Sequence, residues 1–453
     1  MRASTEVGAV LARESLHAAL ADPALEAINF LNEVIDRHPT AISFAPGAPF
    51  AELLPDLDLG SRFDRYIAHL REARGFDDAR IRRHLYQYGP SRGLINDLLA
   101  ESLRRDEGIE VDPDDLVVTA GCQEALLLVL RALCRDASDV IAVVNPCFAG
   151  IAGAARLLNV PLLPVQECGD DLDWEQLETA LRAEREAGRR VRGLYVAPDF
   201  SNPSGAVLGL EARRRLLALA QREDLLLLED NAYAFTAADG SGIPSLKSLD
   251  SDRRVVYLNT CAKICLPGAR VGFVVADQIV VDAAGRRSRL ADELATLKSM
   301  VTVNTSPIAQ AFVGALLLEA GGSLAELARD KAARYRSNLR HLLGALEREL
   351  TPQPGEVRRV SWNRPAGGFF VSMKLPVAAD ADLLAHCAAV HGVLWTPMRF
   401  FHIDGGGAQA LRLSCSYLTH EQIDVGVRRL AGFLRDHRVG GFAPAQALEG
   451  VVS

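Results

Sequence analysis

The sequence predicts an α/β protein, with a mostly parallel seven-stranded sheet flanked by helices and a smaller α+β unit beside it. Three observations carry this. Seven short apolar runs between about residues 90 and 275 alternate with helical stretches. Most of these runs are nearly continuous in hydrophobicity, as strands covered on both faces are. After Pro307 the pattern turns to long helices with few strands between them.

The elements follow in chain order. Leu25, Ile28, Leu31 and Ile35 keep a helical spacing that Pro39 ends, so residues 1–40 read as an N-terminal helical segment. Residues 41–50 read as a short strand and a Gly/Pro-punctuated loop, opening a stretch (41–80) that belongs to the small unit. Residues 81–324 form the large unit, with strands at 116–119, 140–144, 160–165, 191–196, 225–228, 255–258 and 271–275. Its clearest helix spans 173–187, capped by Asp173, with Trp174, Leu177 and Leu181 on one face and Gly188 as the stop. Residues 325–437 return to the small unit. There Tyr335, Leu339, Leu342 and Leu346 mark one helix face, and Thr419 to Gln422 is a capping box for another. Residues 438–453 lack periodicity and read as a loose tail.

Composition narrows the classes. At roughly 150 residues per domain, 453 residues allow two or three units. With 49% hydrophobic and 24% charged residues, collagen-like, low-complexity and disordered readings are excluded. A net charge of −8 argues against nucleic acid as a partner, and Arg213-Arg214-Arg215 reads as a solvated helix face. No apolar stretch approaches the roughly 18 to 20 residues of a membrane span, and the N-terminus lacks a secretory pattern. A cytoplasmic location without a membrane partner is expected. The eight cysteines form no CxxC pair and the ten histidines no HExxH or other metal-ligand spacing, so no metal is expected.

In open α/β sheets, ligands bind beyond the carboxyl ends of the strands, so the residues standing there are informative. After 116–119 comes Gly121-Cys122-Gln123, a glycine turn into a helix, whose free N–H groups suit a phosphate. After 140–144 comes Phe148, placed to cap a planar ring or simply to fill core. Asn202, in Asn202-Pro203-Ser204-Gly205, is a rigidly held donor and acceptor. Asp230 follows an all-leucine strand, where a buried carboxylate needs a cation unless it caps the next helix. Lys263 lies in an otherwise uncharged loop whose desolvation favours imine chemistry, and Arg270 follows a Pro267-Gly268 turn.

Together, in this order, these segments resemble the class I/II aminotransferases, the aspartate-aminotransferase-like, fold type I enzymes that use pyridoxal 5′-phosphate. The resemblance runs from about Phe44 to Leu434. It implies that Lys263 forms the internal aldimine, that Asp230 pairs with the pyridine nitrogen, and that Tyr233 and Asn202 bond the phenolate oxygen. It implies Phe148 stacked on the ring, and Gly121, Cys122, Gln123, Thr260 and Arg270 around the phosphate. Tyr88 looks like the tyrosine that reaches the partner subunit's phosphate, which makes a homodimer the expected assembly. Arg412 and Gly47 match the groups that hold the substrate α-carboxylate, with Asn202 beside them.

The activity implied is transfer of an amino group between an α-amino acid and a 2-oxo acid by a ping-pong route. A lyase, decarboxylating or cyclising enzyme on the same scaffold is the alternative. Two departures stand out. Ala262 replaces a serine common near the lysine, and in the loop from Trp395 to Phe401, Met398 and Arg399 add bulk and charge beside the carboxylate site. Arg399 is therefore a candidate substrate contact, or else a solvent-facing loop arginine. The Phe-Phe loop and the segment 298–306 are similar to the 2-aminoadipate and aromatic aminotransferases and to antibiotic-pathway phenylglycine aminotransferases.

Overall fold

A computed structural model describes residues 9, 11–22, 37–56, 58–238, 242–436 and 438–444. The helix expected over Leu25 to Ile35 lies outside the described residues. Ile42–Ser43 is the first strand, β1. The seven apolar runs are all strands: β2 (Leu116–Thr119), β3 (Asp139–Asn145), β4 (Leu162–Cys168), β6 (Arg190–Val196), β7 (Leu226–Asp230), β8 (Val255–Thr260) and β9 (Gly272–Val275). An eighth, the two-residue β5 (Asp171–Leu172), turns back on β4 at the sheet edge, too short to show a pattern in the sequence. The strand order is β2-β9-β8-β7-β6-β3-β4-β5. β4, β3, β6, β7 and β8 run parallel, and β9 lies antiparallel between β8 and β2.

Period-two alternation sends successive side chains to opposite faces. On β3, Ile141 and Val143 enter the core with helices Cys122–Leu133 and Ala149–Leu158. Ala142 and Val144 enter the core with Trp174–Glu186 and Leu210–Arg222. Asp173 caps the former of these two as expected, accepting from Gln176 N at 2.9 Å. Every parallel crossover thus leaves a helix on one face, and the loops at the strands' carboxyl ends open to one side.

The second unit holds a four-stranded antiparallel sheet in the order Ser361–Trp362, Phe370–Lys374, Ala410–Ser414, Thr396–Pro397. Helices Leu324–Glu349 and His420–Arg435 cover it, the latter opened by the Thr419/Gln422 capping box. Phe44 is fully buried in this core with Leu339, Leu346, Leu413 and Val427, so both chain ends build it. The sequence division places all of 41–80 here. In the structure, Tyr66 and Leu70 pack instead with Ile95 and Phe312 on the large unit.

Two more differences have plain causes. Arg213 is fully buried, not on a solvated face: it pairs with Asp199 at 2.6 Å and donates to the carbonyls of Pro198, Leu208 and Pro244. The tail read as loose includes a strand, Phe442–Pro444, paired with Glu356–Arg358, and Val439 is buried. Three residues are too few for periodicity to reveal.

Candidate active site

Carboxyl ends of β3, β6, β7 and β8 meet the Cys122 helix and the small unit around a cavity of about 360 Å³. Gly47, Cys122, Gln123, Phe148, Tyr195, Asn202, Asp230, Tyr233, Thr260, Lys263, Arg270, Phe401 and Arg412 all line it. Sequence positions from 47 to 412 therefore converge on one hollow.

Asp230 ends β7 at its floor. Tyr195 donates to its Oδ2 at 2.6 Å, and burial pushes its pKa up to about 6 although Tyr195 and Lys263 pull the other way. The helix-cap reading of Asp230 fails, because the next short helical turn, Ala234–Thr236, is flanked by Tyr233. Lys263 opens onto the cavity but is otherwise enclosed, and Nζ donates to Gly47 O at 2.6 Å. Burial first, then the cations Arg412 and Arg270, lower its pKa to about 8, while Asp230 opposes them. An amine that is partly neutral near physiological pH is suited to imine formation.

Gly121 sits at the N-terminus of the Cys122–Leu133 helix with φ +85°, a conformation favouring glycine. A Cβ there would lie 2.4 Å from Arg270 Nη2, so the arginine head hangs directly over the helix N-terminus. Thr260 Oγ1 accepts from Ala262 N at 3.2 Å, so its hydroxyl serves the lysine loop where the second serine is missing. Cation, hydroxyl and free N–H groups together form a phosphate cradle.

On the opposite wall Arg412 is buried. Nη1 donates to Asn202 Oδ1 at 2.6 Å, and Nη2 donates to Ala45 O at 2.6 Å and Thr396 Oγ1 at 3.3 Å. Phe370 and Phe401 flank the guanidinium at 4.4 and 4.6 Å from Cζ to ring centroid. Its Nε is buried without a partner, a donor waiting for an acceptor. Burial lowers its pKa to about 10, which leaves it cationic at neutral pH. Tyr233 stands between the two groups, bonded by Asn202, its hydroxyl held well above the usual range by burial.

Two expected residues lie elsewhere. Arg399 is exposed and its guanidinium sits 5.5 Å from the Phe400 ring; it does not line the cavity, and Phe401 takes the place expected for it. Tyr88 is 84% exposed and outside its own protomer's cavity. Four contributors were missed in the sequence: Tyr195, Thr396, Phe370 and Phe401. Only Tyr195 carried a signal, its place one residue before the end of a recognised strand.

These residues fit pyridoxal phosphate. A buried carboxylate with a raised pKa needs a cation, the Gly121 turn leaves room where a side chain would collide with Arg270, and Lys263 lies between them. The chain belongs to the aminotransferase class I and II family, whose model matches residues 62–430. It is a pyridoxal-phosphate-dependent aminotransferase acting on amino-acid and 2-oxo-acid substrates. It is 45% identical over 424 residues to the (S)-3,5-dihydroxyphenylglycine transaminase of Amycolatopsis orientalis, covering 94% of each chain. It is 32% identical over 408 residues to the 2-aminoadipate transaminase of Thermus thermophilus, covering 88% of this chain and 92% of that one. Among solved structures, an α-aminoadipate aminotransferase from Thermus thermophilus complexed with N-(5′-phosphopyridoxyl)-L-leucine superposes with a TM-score of 0.72 at 30% identity, covering 93% and 98% of the two chains.

Proposed function

We propose that this chain transfers the amino group of an arylglycine-type amino acid to or from a 2-oxo acid, working as a homodimer. The substrate class is supported by the 45% identity to a dihydroxyphenylglycine transaminase. The site assignment rests on one observation: Lys263, Asp230 and Arg412 share one cavity, which Phe148, Tyr195, Tyr233 and Phe401 also line. Pyridoxal phosphate supplies, when bound, an electron sink for the charge left at Cα.

The chain's own residues do the rest. Arg412, clamped between Phe370 and Phe401, binds the substrate carboxylate and fixes which Cα bond faces Lys263. Lys263 Nζ takes the α-proton as general base and returns it as general acid, a role that contributes on the order of 10² to 10⁴-fold. Asp230, oriented by Tyr195, holds the cofactor's ring nitrogen in its protonated form. The cradle of Gly121, Cys122, Gln123, Thr260 and Arg270 holds the phosphate. Phe148, at the cavity wall, stacks on the ring.

Tyr88 completes the cradle of the partner subunit. Its 84% exposure supports this, as does exposed apolar surface at Met300 and Val303 nearby, where Ser91 Oγ donates to Val303 O at 2.6 Å. Mixing cofactor-loaded enzyme with arylglycines, 2-aminoadipate and phenylalanine tests the substrate class. Arylglycines should bleach the cofactor's visible band fastest and yield the matching 2-oxo acid. Conversion of 2-aminoadipate without conversion of any arylglycine would refute it.

A further inference from the structure

Among the described residues, one group of side chains outside the cavity has the chemistry of a metal site. His386 ends helix Ala381–His386, and His391 ends the π-helical turn Cys387–His391 that continues it. Five residues apart on an α-helix, two side chains point roughly 140° away from each other. The wider π turn brings these two together, with ring centroids 5.8 Å apart. Such turns recur at functional sites.

The third member is Asp436, at the C-terminus of His420–Arg435. Its Oδ2 lies 3.0 Å from His386 Nε2 and 3.5 Å from His391 Nε2. The facing atoms of the three all lie within 4.8 Å of one another. Bonds of about 2.0 to 2.1 Å to a tetrahedral ion put neighbouring ligand atoms about 3.3 Å apart. The two pairs, the shorter of them a His386–Asp436 hydrogen bond, bracket that spacing.

The donors are also held. Asp436 Oδ1 accepts from Arg438 N at 2.9 Å, which turns Oδ2 toward the histidines. Phe433 packs edge-on against the His391 ring at 5.7 Å. His391 Nε2 is buried and faces Asp436 Oδ2 at 3.5 Å, too long a contact to satisfy it fully, so it is aimed at this point. His391 also lines an open hollow of about 570 Å³ with His38 and Arg429, which leaves solvent a route to a fourth position. Two imidazoles, one carboxylate and an open position suit zinc and its first-row neighbours.

We propose that His386, His391 and Asp436 bind a divalent first-row transition ion, zinc foremost. The ion ties the helix leading to Val393–Leu394 to the end of His420–Arg435. None of the three residues lines the Lys263 cavity, so the site is independent of the transamination chemistry.

The test uses chelator-treated, cofactor-loaded full chain, titrated with Co²⁺ and separately dialysed against Zn²⁺. One saturable equivalent of metal per chain is expected, with cobalt bands of imidazole coordination and a raised melting temperature. His386→Ala/His391→Ala should weaken binding by at least about tenfold while keeping the cofactor's visible band. Asp436→Asn, which preserves the acceptor for Arg438 N, should do the same and serves if the double variant fails to fold. Absence of saturable binding to folded wild type, or undiminished affinity in the folded variants, would overturn the proposal.

Discussion

Replacing Arg412 with lysine separates charge from geometry at the substrate wall. The guanidinium makes three hydrogen bonds, to Asn202 Oδ1, Ala45 O and Thr396 Oγ1, and is sandwiched by Phe370 and Phe401. Lysine keeps the charge but offers one nitrogen, which cannot reach those acceptors and a substrate carboxylate together. Two charge-assisted bonds lost at about 1.5 to 3 kcal/mol each remove about 3 to 6 kcal/mol. Partial rescue by the retained charge brings the expected loss to about 3 to 4 kcal/mol, or roughly 10² to 10³-fold in kcat/KM. Both parameters should move. KM rises because the carboxylate is held less well, and kcat falls because the Cα bond is aimed less well. Steady-state kinetics at saturating cofactor, with circular dichroism to verify the fold, give the answer. A correctly folded variant within tenfold of wild type would refute the role of Arg412.

Three further outcomes follow from the same geometry. Borohydride reduction of the loaded enzyme should fix the cofactor on Lys263, and peptide mapping that finds the label on another lysine would overturn that assignment. Gly121→Ala places a Cβ 2.4 Å from Arg270 Nη2 at a strained φ of +85°, so the guanidinium must shift off the helix N-terminus; cofactor affinity measured by dialysis should fall at least about tenfold. In cofactor-free protein Asp230 titrates near 6 against 3.8 unfolded, so the native state holds the extra proton between those values. Stability relative to Asp230→Asn should therefore drop as pH rises from about 4 to about 6, by up to about 3 kcal/mol, and cofactor should abolish the drop; urea midpoints across that window measure it.

The division between what the sequence disclosed and what it hid follows from the range of each interaction. The seven main strands were visible because each contains a short apolar run, in most of them buried on both faces, a property of consecutive residues. Lys263, Asp230, Asn202 and Gly121 were visible because each stands at a strand's end, where chain order and spatial order coincide. Arg213 misled because three arginines in a row resemble solvated surface. Its burial depends on Asp199 and on carbonyls such as Pro244 O, 31 residues further along the chain, none of which is helix-local. Phe370, Phe401 and Thr396 were missed for the same reason: each acts on Arg412, and only the folded small sheet sets them around it. Arg399 and Phe401 make the sharpest contrast. They share one four-residue turn, Met398–Phe401, and the charged one drew the eye because charge suggests binding. The turn instead sends the apolar ring to the guanidinium and leaves the arginine in solvent. Desolvation favours that choice, since a second buried cation beside Arg412 would go unpaired.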